Sequence, residues 1–412
     1  MFKNSQKISI RKHFLISLLF VILIFTSIGV SIDGACASDM NQTASGIDGE
    51  LNVEDKLGNS QENGLSTNLD MDSSVNRAQN SEVLGNTINL LNGGKFSDIR
   101  NALNNANAGD IIKLGGTFES ENEYDQITLN KPVSFTSDSM ATLDCKNLSR
   151  AFYIREGGRC SSITNLKIIN SNQIEYYGAI HIKAVNVTIK NCIFENCLAY
   201  RGAAISTTYN ESLAANLLIE NCQFIKNHVV QYAGGISVFG DNTRVINCTF
   251  DSNTAYNDID GVIPYGGAIQ LGLNSGLARG YVYNCRFYNN YVQPKDEEAH
   301  GGAGCVRDGV VYENCIFINN SAAQGGALTY HASGLIKNCT FINNTATNYG
   351  GALSTGYEYN KMNLKIEESR FEGNTAPIGG AVQLIGENVD IKDSEFKNNT
   401  ASQTGEIGRA HV

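Results

Sequence analysis

The chain has 412 residues, 41 glycines, 8% aromatic residues and a formal net charge of −10 at pH 7. The many glycines and the lack of a 3.6-residue apolar period exclude a solenoid built from paired helices. The acidic balance argues against nucleic acid as a partner, because nucleic acids are bound through basic surfaces.

The N-terminus has the features of a secretory signal peptide. Basic residues between Lys3 and Lys12 precede an uncharged stretch from Phe14 to Val30, and a small-x-small cleavage pattern ends at Ala37. We therefore expect residues 1–37 to be a signal peptide and the rest of the chain to be exported, to the extracellular side or the cell surface. An uncleaved anchor is the alternative, since the uncharged stretch approaches the length of a membrane span.

Residues 38–83 contain no aromatic side chain. Their nine acidic and two basic residues carry −7 of the net charge of −10. A segment of this composition cannot bury enough apolar surface to fold, so we predict a disordered acidic spacer.

One helical pattern follows, within residues 96–109. Its apolar face consists of Phe96, Ile99, Ala102, Leu103 and Ala106. Ser97 or Asp98 is suited to begin the helix and Gly109 to end it. Because the end of a solenoid otherwise exposes its core and its unpaired edges, we expect this helix to cap the N-terminal end.

Less regular strands are predicted at 111–114, 126–129, 133–135 and 151–154, and a regular register starts at 163–170. The motif Asn-Cys-x-Phe then recurs, alternating with a glycine motif such as Gly-Gly-Ala. The phenylalanine of the motif is Phe194, Phe224, Phe250, Phe287, Phe317, Phe341, Phe371 and Phe396. Its cysteine is Cys192, Cys222, Cys248, Cys285, Cys315 and Cys339, and Ser369 and Ser394 replace it in the last two copies. Ordered copies of a two-part motif identify a repeat protein.

Each copy alternates apolar and polar residues before the asparagine, as Val389 to Lys392 does, and this alternation is typical of a strand. We expect a turn at the asparagine, which tolerates left-handed backbone and can form a side-chain ladder between coils. The glycines predict a second corner, where a Cβ would clash. The smallest repeat, 24 residues from Phe317 to Phe341, fits three short strands and three turns. Longer repeats would insert loops at one corner, as at Asn257 to Pro264 and Val292 to Glu298.

These observations predict an all-β, right-handed, single-stranded parallel β-helix over residues 84–404, a pectate-lyase-like solenoid with an N-terminal capping helix. Glu406 to Val412 continue no pattern and match the translation of a common sequencing adapter. We therefore expect 405–412 to be a non-native tail and the β-helix domain to be truncated C-terminally.

The repeats resemble those of known surface proteins. Phe-x-x-Asn alternating with Gly-Gly-Ala-Ile, as in Phe224 to Asn227, looks like the polymorphic outer-membrane-protein repeats of chlamydiae. The Asn-Cys-x-Phe-x-Asn-Asn form resembles the adhesin-like surface proteins of methanogenic archaea. The resemblance covers residues 84–404 and implies a cell-surface adhesin that contacts glycans or partner-cell proteins. It says less about activity than about fold.

Two alternatives remain: a lyase or hydrolase acting on acidic polysaccharide, and a structural surface stalk. Such enzymes need clustered carboxylates, for calcium or for acid–base catalysis. The dense acidic spots are Asp258 with Asp260 and the run Asp296 to Glu298, both in inserted loops. We also expect His228, His300 and His331 to lie near different corners without a common partner. We therefore predict no catalytic residues, which favours the adhesin over the enzyme.

Several of the 18 tyrosines precede the glycine corner. These are Tyr177, Tyr200, Tyr232, Tyr265 and Tyr349. If they point outward, they form an aromatic strip suited to sugar rings, and Tyr177, Tyr232, Tyr265 and Tyr349 are the candidate ligand-binding residues. If they point inward, they pack the corner.

The cysteine position also accepts serine, which favours a ladder of buried thiols over disulfides. The pairs Cys192–Cys197 and Cys145–Cys160 are the alternative. No group of cysteine or histidine has metal-ligand spacing. We expect no metal or cofactor, no nucleic acid partner, and membrane contact only through the signal segment or a missing C-terminal anchor.

Overall fold

A computed structural model describes residues 85–208, 214–256, 262–272, 280–293, 298–306, 309–355, 361–385, 387–405 and 407–408. The predicted signal peptide, residues 1–37, and the predicted acidic spacer, residues 38–83, lie outside this range. Both therefore remain predictions.

The described chain winds through short parallel strands. One coil contains Thr188–Lys190, Ile193–Glu195, Leu198–Arg201 and Ile205–Thr207, and each strand pairs with the strand at the same place in the next coil. We number the resulting sheets 1 to 4 in that order. The predicted all-β right-handed parallel β-helix is confirmed. The prediction of three strands per coil is wrong, because a second asparagine turn divides the chain between sheets 2 and 3.

The strands have the following bounds. Sheet 1 contains Thr87–Leu90, Ile111–Leu114, Ser134–Thr136, Ser162–Thr164, Thr188–Lys190, Leu218–Glu220, Thr243–Ile246, Gly280–Tyr283, Val310–Glu313, Gly334–Lys337, Lys361–Glu367 and Glu387–Lys392. Sheet 2 contains Gly94–Lys95, Thr117–Glu119, Ala141–Asp144, Leu166–Ile169, Ile193–Glu195, Gln223–Ile225, Thr249–Asp251, Arg286–Tyr288, Ile316–Ile318, Thr340–Ile342, Arg370–Glu372 and Glu395–Lys397. Sheet 3 contains Asn172–Tyr177, Leu198–Arg201, His228–Tyr232, Thr254–Ala255, Tyr291–Val292, Ser321–Gln324, Thr345–Tyr349, Thr375–Ile378 and Thr400–Thr404. Sheet 4 contains Ile127–Leu129, Phe152–Ile154, Ile180–Ile182, Ile205–Thr207, Ile236–Val238, Ile269–Leu271, Gly304–Val306, Leu328–Tyr330, Leu353–Thr355, Val382–Gln383 and Ile407–Gly408.

Left-handed residues make the two turns around sheet 2. In the coil of Phe341, Asn338 has φ +48° before the strand of sheet 2 and Asn343 has φ +54° after it. Asparagine accepts this region of backbone space at low cost, so the predicted asparagine turn is confirmed. The exposed side chains of these asparagines form hydrogen bonds between successive coils. For example, Asn338 Nδ2 donates to Asn314 Oδ1 at 2.6 Å.

Two of the buried ladders in the interior consist of phenylalanines and of asparagines. The eight repeat phenylalanines pair in register along sheet 2, and the rings of Phe224 and Phe250 are parallel to within 7° at 4.6 Å. The other ladder consists of asparagines that follow the second turn. Its members are Asn227, Asn253, Asn290, Asn320, Asn344, Asn374 and Asn399. The sequence predicted the phenylalanine stack and missed the burial of this second asparagine.

The glycine corner joins sheets 3 and 4. Gly325 has φ +61°, a left-handed conformation that glycine adopts at no steric cost. Gly326 is needed for a different reason: a Cβ there would lie 2.1 Å from the carbonyl oxygen of Gly351 in the next coil. The predicted corner is therefore present, and it lets successive coils approach one another closely.

The helix Phe96–Asn105 replaces sheets 3 and 4 in the first coil, between Gly94–Lys95 and Ile111–Leu114. Phe96, Ile99, Ala102 and Leu103 are buried and the helix contacts Ile127–Leu129 of sheet 4, so it covers the N-terminal end of the core as predicted. Its first residue follows Lys95, whose N–H donates to Asp98 Oδ2 at 2.8 Å. It ends at Asn105, before Gly109, because Ala106 is already extended (ψ 149°).

The predicted insertions at Asn257 to Pro264 and Val292 to Glu298 fall largely outside the described residues, so they remain predictions. In the predicted non-native tail, residues 405–412, Ile407–Gly408 pairs with Val382–Gln383, and the origin of the tail remains a prediction.

Candidate functional site

The four predicted tyrosines occupy one position of the repeat. Each precedes the glycine corner, and the residues at this position are in register from coil to coil. We call them the corner column: Tyr177, Arg201, Tyr232, Tyr265, His300, Gln324 and Tyr349. Tyr200 lies one residue before the column. The predicted strip is therefore continuous, with arginine, histidine and glutamine between its tyrosines.

The aromatic faces of the column are largely covered by their neighbours. The ring of Tyr265 lies 5.4 Å from that of Tyr232 and 5.0 Å from that of His300, with interplanar angles of 35° and 12°. The Arg201 guanidinium lies 4.9 Å from the Tyr232 ring on its other side. Tyr232 is only 7% exposed, whereas Tyr265 and Tyr349 are half-buried. The column thus combines corner packing with an outward-facing strip. Its rings pack on each other, and their edges and polar atoms face solvent.

A second row lies on the outer face of sheet 4. It contains one residue from each of the first ten strands, in register from coil to coil: Thr128, Tyr153, His181, Ser206, Ser237, Gln270, Cys305, Thr329, Ser354 and Gln383. Most of these residues are buried although they point away from the core. The glycine corner covers them, since a Cβ added at Gly202 would lie 2.9 Å from the Ser237 Cβ and 3.0 Å from the Ser206 Cβ. The row therefore favours small side chains.

His181 is one of the members of the row that are larger than serine or threonine, and its side chain is held by several neighbouring groups. Its Nδ1 accepts from Arg150 Nη1 at 3.1 Å, so the ring proton lies on Nε2, which donates to Thr208 Oγ1 at 3.1 Å. Its ring stacks between Tyr153 at 5.0 Å and Tyr177 at 4.3 Å. Burial, with the nearby Arg150 and Lys183 charges, lowers the pKa of His181 to about 3, so the imidazole is neutral.

The sequence analysis did not predict the group of side chains around His181. The signal was present, however, because His181 stands in a Gly-Ala-Ile-x-Ile motif where other coils have Ser206, Ser237 or Thr329. A bulky polar residue at a position that repeats as serine or threonine marks a candidate site, and the internal repeats alone reveal it.

A third group contains His300 and His331, for which no common partner was expected from the sequence. The rings of His300 and His331 lie 5.1 Å apart, and His331 also contacts Tyr265 at 6.2 Å. His300 and His331 lie near different corners as predicted, but the prediction that they have no common partner is wrong, because both contact Tyr265. The strands of sheet 4 have only three residues, about 10 Å, so side chains from its two ends meet above it. His228 is separate, on sheet 3, where it bonds to Thr254.

Acidic residues are missing from the described part of this surface. Neither the corner column nor the row on sheet 4 contains aspartate or glutamate within the ranges that the structure covers. Asp258, Asp260, Asp296 and Glu297 lie outside the described residues, and Glu298 is exposed. The described surface therefore offers aromatic edges, amides, imidazoles and guanidinium groups.

The repeat cysteines carry free, buried thiols. The N–H of Cys248 donates to Cys285 Sγ at 3.4 Å, and that of Cys339 donates to Ser369 Oγ at 3.1 Å, so serine continues the ladder. Cys145, Cys192 and Cys197 are also free, so neither alternative pair forms. Burial raises the pKa of Cys197 to about 12. These thiols are structural and do not belong to the surface site.

The described ranges contain neither a candidate metal site nor a candidate membrane-spanning helix. No group of three or more histidine, cysteine, aspartate or glutamate side chains there is arranged to hold a metal ion. Nor does any helix in those ranges have the length and apolarity that a membrane crossing requires.

One coil matches a known repeat family. Residues 338–356, from the first asparagine turn through sheet 4, match the model of the Chlamydia polymorphic membrane protein repeat. This supports the resemblance stated from the sequence, and the polymorphic membrane protein family consists of surface proteins. The repeat match fixes the structural unit and leaves the activity open.

Comparisons with whole proteins are more distant. The metabotropic glutamate receptor-like protein R of Dictyostelium discoideum is 27% identical over 242 residues, which is 53% of this chain and 12% of that protein. The chain thus spans a small part of this relative. A mannuronic acid specific polysaccharide family 6 lyase from human gut microbiota is 13% identical, with TM-score 0.40, over 78% of this chain and 89% of its own. The catalytic domain of an alpha-1,3-glucanase is 13% identical, with TM-score 0.44, over 82% of this chain and 70% of its own. No inference about activity follows from likeness of this degree.

Proposed function

We propose that this protein is an exported, cell-surface adhesin-like β-helix that binds glycans along the corner column and the adjacent row of sheet 4. The observation that carries the proposal is the register of the column. Aromatic, arginine, histidine and glutamine side chains follow one another over seven coils, from Tyr177 to Tyr349. An extended polymer along this line meets a new side chain about every 4.8 Å.

The chemistry of the column suits a sugar polymer. Tyrosine, histidine and glutamine edges offer hydrogen-bond donors and acceptors, and tyrosine adds apolar surface at low entropic cost. Because the ring faces of Tyr232 and Tyr265 are covered, recognition relies on edges and hydroxyl groups more than on face stacking. A partner-cell protein is the other class of ligand, and we treat it as an outcome of the test.

The repeat match and the signal-peptide prediction support the proposed surface location. Protease treatment of intact cells tests it. We expect the domain to be digested without lysis, as is an established surface protein; digestion only after lysis would contradict the surface location.

The binding test uses a glycan array and a matched pair of triple variants. Changing Tyr232, Tyr265 and Tyr349 to phenylalanine removes three hydroxyl groups and keeps the packing. The control changes Tyr281, Tyr283 and Tyr288, on the outer faces of sheets 1 and 2, in the same way. We expect the column variant to lose at least tenfold in affinity and the control to bind normally. Binding to partner-cell extracts without binding to any glycan would favour a protein ligand, and binding to neither would favour the structural stalk.

A second candidate is a polysaccharide lyase. The contact of Tyr265 with His300 and His331 favours it, because tyrosine and histidine are able to take up or deliver a proton. Incubation with acidic polysaccharides, with and without calcium, tests this candidate. Unsaturated or shortened products that disappear in His300→Ala and His331→Ala would establish the lyase and overturn the adhesin.

A further inference from the structure

Arg150 is a buried cation on the outer surface of the early coils. It is 9% exposed and lies just before the strand Phe152–Ile154 of sheet 4. Its Nη1 donates to His181 Nδ1 at 3.1 Å and its Nη2 to Gln173 Oε1 at 2.9 Å. Its Nε has no hydrogen-bond partner among the described side chains.

The partners of Arg150 are neutral. Gln173 is an amide, and the low pKa of His181 keeps its imidazole uncharged. Among the side chains that the structure describes, Arg150 has no carboxylate partner. Burial lowers the pKa of Arg150, which expresses the cost of desolvating the charge. A buried charge is normally compensated by an opposite charge, so this one is poised for an anion from outside the described chain.

The surroundings of Arg150 are rigid and positive. The Arg150 and Arg155 guanidinium carbons lie 5.9 Å and 5.1 Å from the centre of the Tyr153 ring. Tyr153, His181 and Tyr177 form one stack, so the ring that both arginines flank is held in place. Tyr176, 59% exposed, adds an aromatic surface beside the stack. Arg155 is exposed and able to close on a bound group.

We propose that Arg150 and Arg155 form an anion-binding subsite at the N-terminal end of the corner column, and that the glycan bound there is acidic. The planar guanidinium matches a carboxylate or a sulfate ester with two parallel hydrogen bonds, which a neutral sugar does not provide. The exposed Arg155 supplies hydrogen-bond donors at the surface, and the buried Arg150 adds a positive charge that no described carboxylate neutralises. The inference rests on the proposed glycan binding and names the charge of the ligand.

The test compares three probes by calorimetry on the full chain: oligogalacturonate, its carboxyl-reduced counterpart, and dextran sulfate. We expect oligogalacturonate to bind and the reduced oligomer to bind at least tenfold more weakly. If dextran sulfate binds as well, the subsite recognises anionic groups in general. If it does not bind, the subsite is specific for carboxylates. Arg150→Gln should lower the affinity for oligogalacturonate about tenfold or more, because it removes a positive charge that no described carboxylate neutralises. The control Arg286→Gln, an exposed arginine of sheet 2, should bind as the unaltered protein does.

Arg155→Gln, at an exposed position, keeps the test valid if Arg150→Gln does not fold, and melting curves show which variants are folded. Equal binding of acidic and reduced oligomers overturns the anion subsite and leaves the glycan-binding proposal standing. Acidic binding that persists in both arginine variants also overturns the subsite. Absence of any glycan binding overturns both proposals.

Discussion

The ring of Tyr265 lies against the ring of His300 one coil further on, at 5.0 Å and 12°. The two residues are 35 positions apart in the chain and are in register at the glycine corner. The same relationship, one residue of one coil packed on its counterpart in the next, recurs in the core and on the surface. It makes the phenylalanine, asparagine and cysteine ladders and the proposed contact surface parts of one pattern.

The Tyr265–His300 stack should contribute to stability through the aromatic ring of Tyr265 and not through its hydroxyl group. Tyr265→Phe keeps the ring, so we expect the free energy of unfolding to change by less than about 0.5 kcal/mol, as is usual for mild surface changes. Tyr265→Ala should lower it by more, because an aromatic pair contributes about 0.5–1.5 kcal/mol beyond its buried area. Urea unfolding measures both. Equal stability of the two variants would show that the stack contributes nothing.

The phenylalanine ladder predicts a gradient along the repeat. Phe317 is fully buried between Phe287 and Phe341, at 4.7 Å from each, so Phe317→Ala should cost about 3–5 kcal/mol. Phe396 is half-buried with a ring neighbour in Phe371, and Phe396→Ala should cost less. Urea unfolding followed by far-ultraviolet circular dichroism tests the order. A cost for Phe396→Ala as large as that for Phe317→Ala would contradict the ladder.

Adjacent asparagines offer a matched pair. Asn320 Nδ2 donates to the Phe287 carbonyl oxygen and to Asn344 Oδ1, both at 3.0 Å, so Asn320→Ala leaves buried polar groups unpaired. Each unpaired group costs about 1–3 kcal/mol. Asn319, the exposed turn residue beside it, has φ +56°, and Asn319→Gly keeps that turn. We expect a large loss of stability for Asn320→Ala and a small one for Asn319→Gly; the reverse order would contradict a buried ladder.

The buried thiols predict a loss of stability in alkali. Because burial raises the pKa of Cys197 to about 12, the folded state keeps its proton where the unfolded chain, near the usual value of 9.0, has released it. The thiol's contribution is complete below pH 9 and is lost as the pH rises towards 12. Cys197→Ser should therefore show a shallower fall of unfolding free energy over this range. Identical profiles, or rapid labelling of native protein by a thiol reagent, would show that the thiol is accessible.

The helix Phe96–Asn105 should control the first coils. Ile99→Asp with Leu103→Asp places two charges in the buried face and should expose the neighbouring strand Ile111–Leu114 to hydrogen exchange. The control Asn101→Asp with Asn104→Asp adds the same charge on the exposed face. Unchanged protection of 111–114 in the buried-face variant would refute the role of the helix as a cap.

The sequence predicted features that repeat and missed those that depend on one coil. The phenylalanine at the position of Phe341 recurs in every copy, and the position of Cys339 holds cysteine or serine, so both ladders could be derived without a structure. The end of the helix at Asn105 depends on the extended conformation of Ala106, and Gly109, three residues later, was the stronger local signal. The contact between His300 and His331 depends on how far side chains reach across a three-residue strand, which spacing in the sequence does not express.

In the candidate surface, too, the repeating features could be predicted from the sequence and the features of a single coil could not. The tyrosine column could be predicted because each tyrosine stands before a glycine corner. The group around Arg150 could not, because Arg150 and Gln173 belong to early coils without the regular motif, and His181 brings them together by hydrogen bonds and stacking. Comparison of His181 with its serine and threonine counterparts would have located the site.

We propose that the surface over sheet 4 binds glycans without transforming them. The most direct measurement incubates the protein with an acidic polysaccharide and follows binding and polymer length in the same sample. We expect saturable binding, weakened by the tyrosine-to-phenylalanine changes at 232, 265 and 349, with the length of the polymer unchanged. Shortened chains or unsaturated ends, or the absence of any binding, would contradict it.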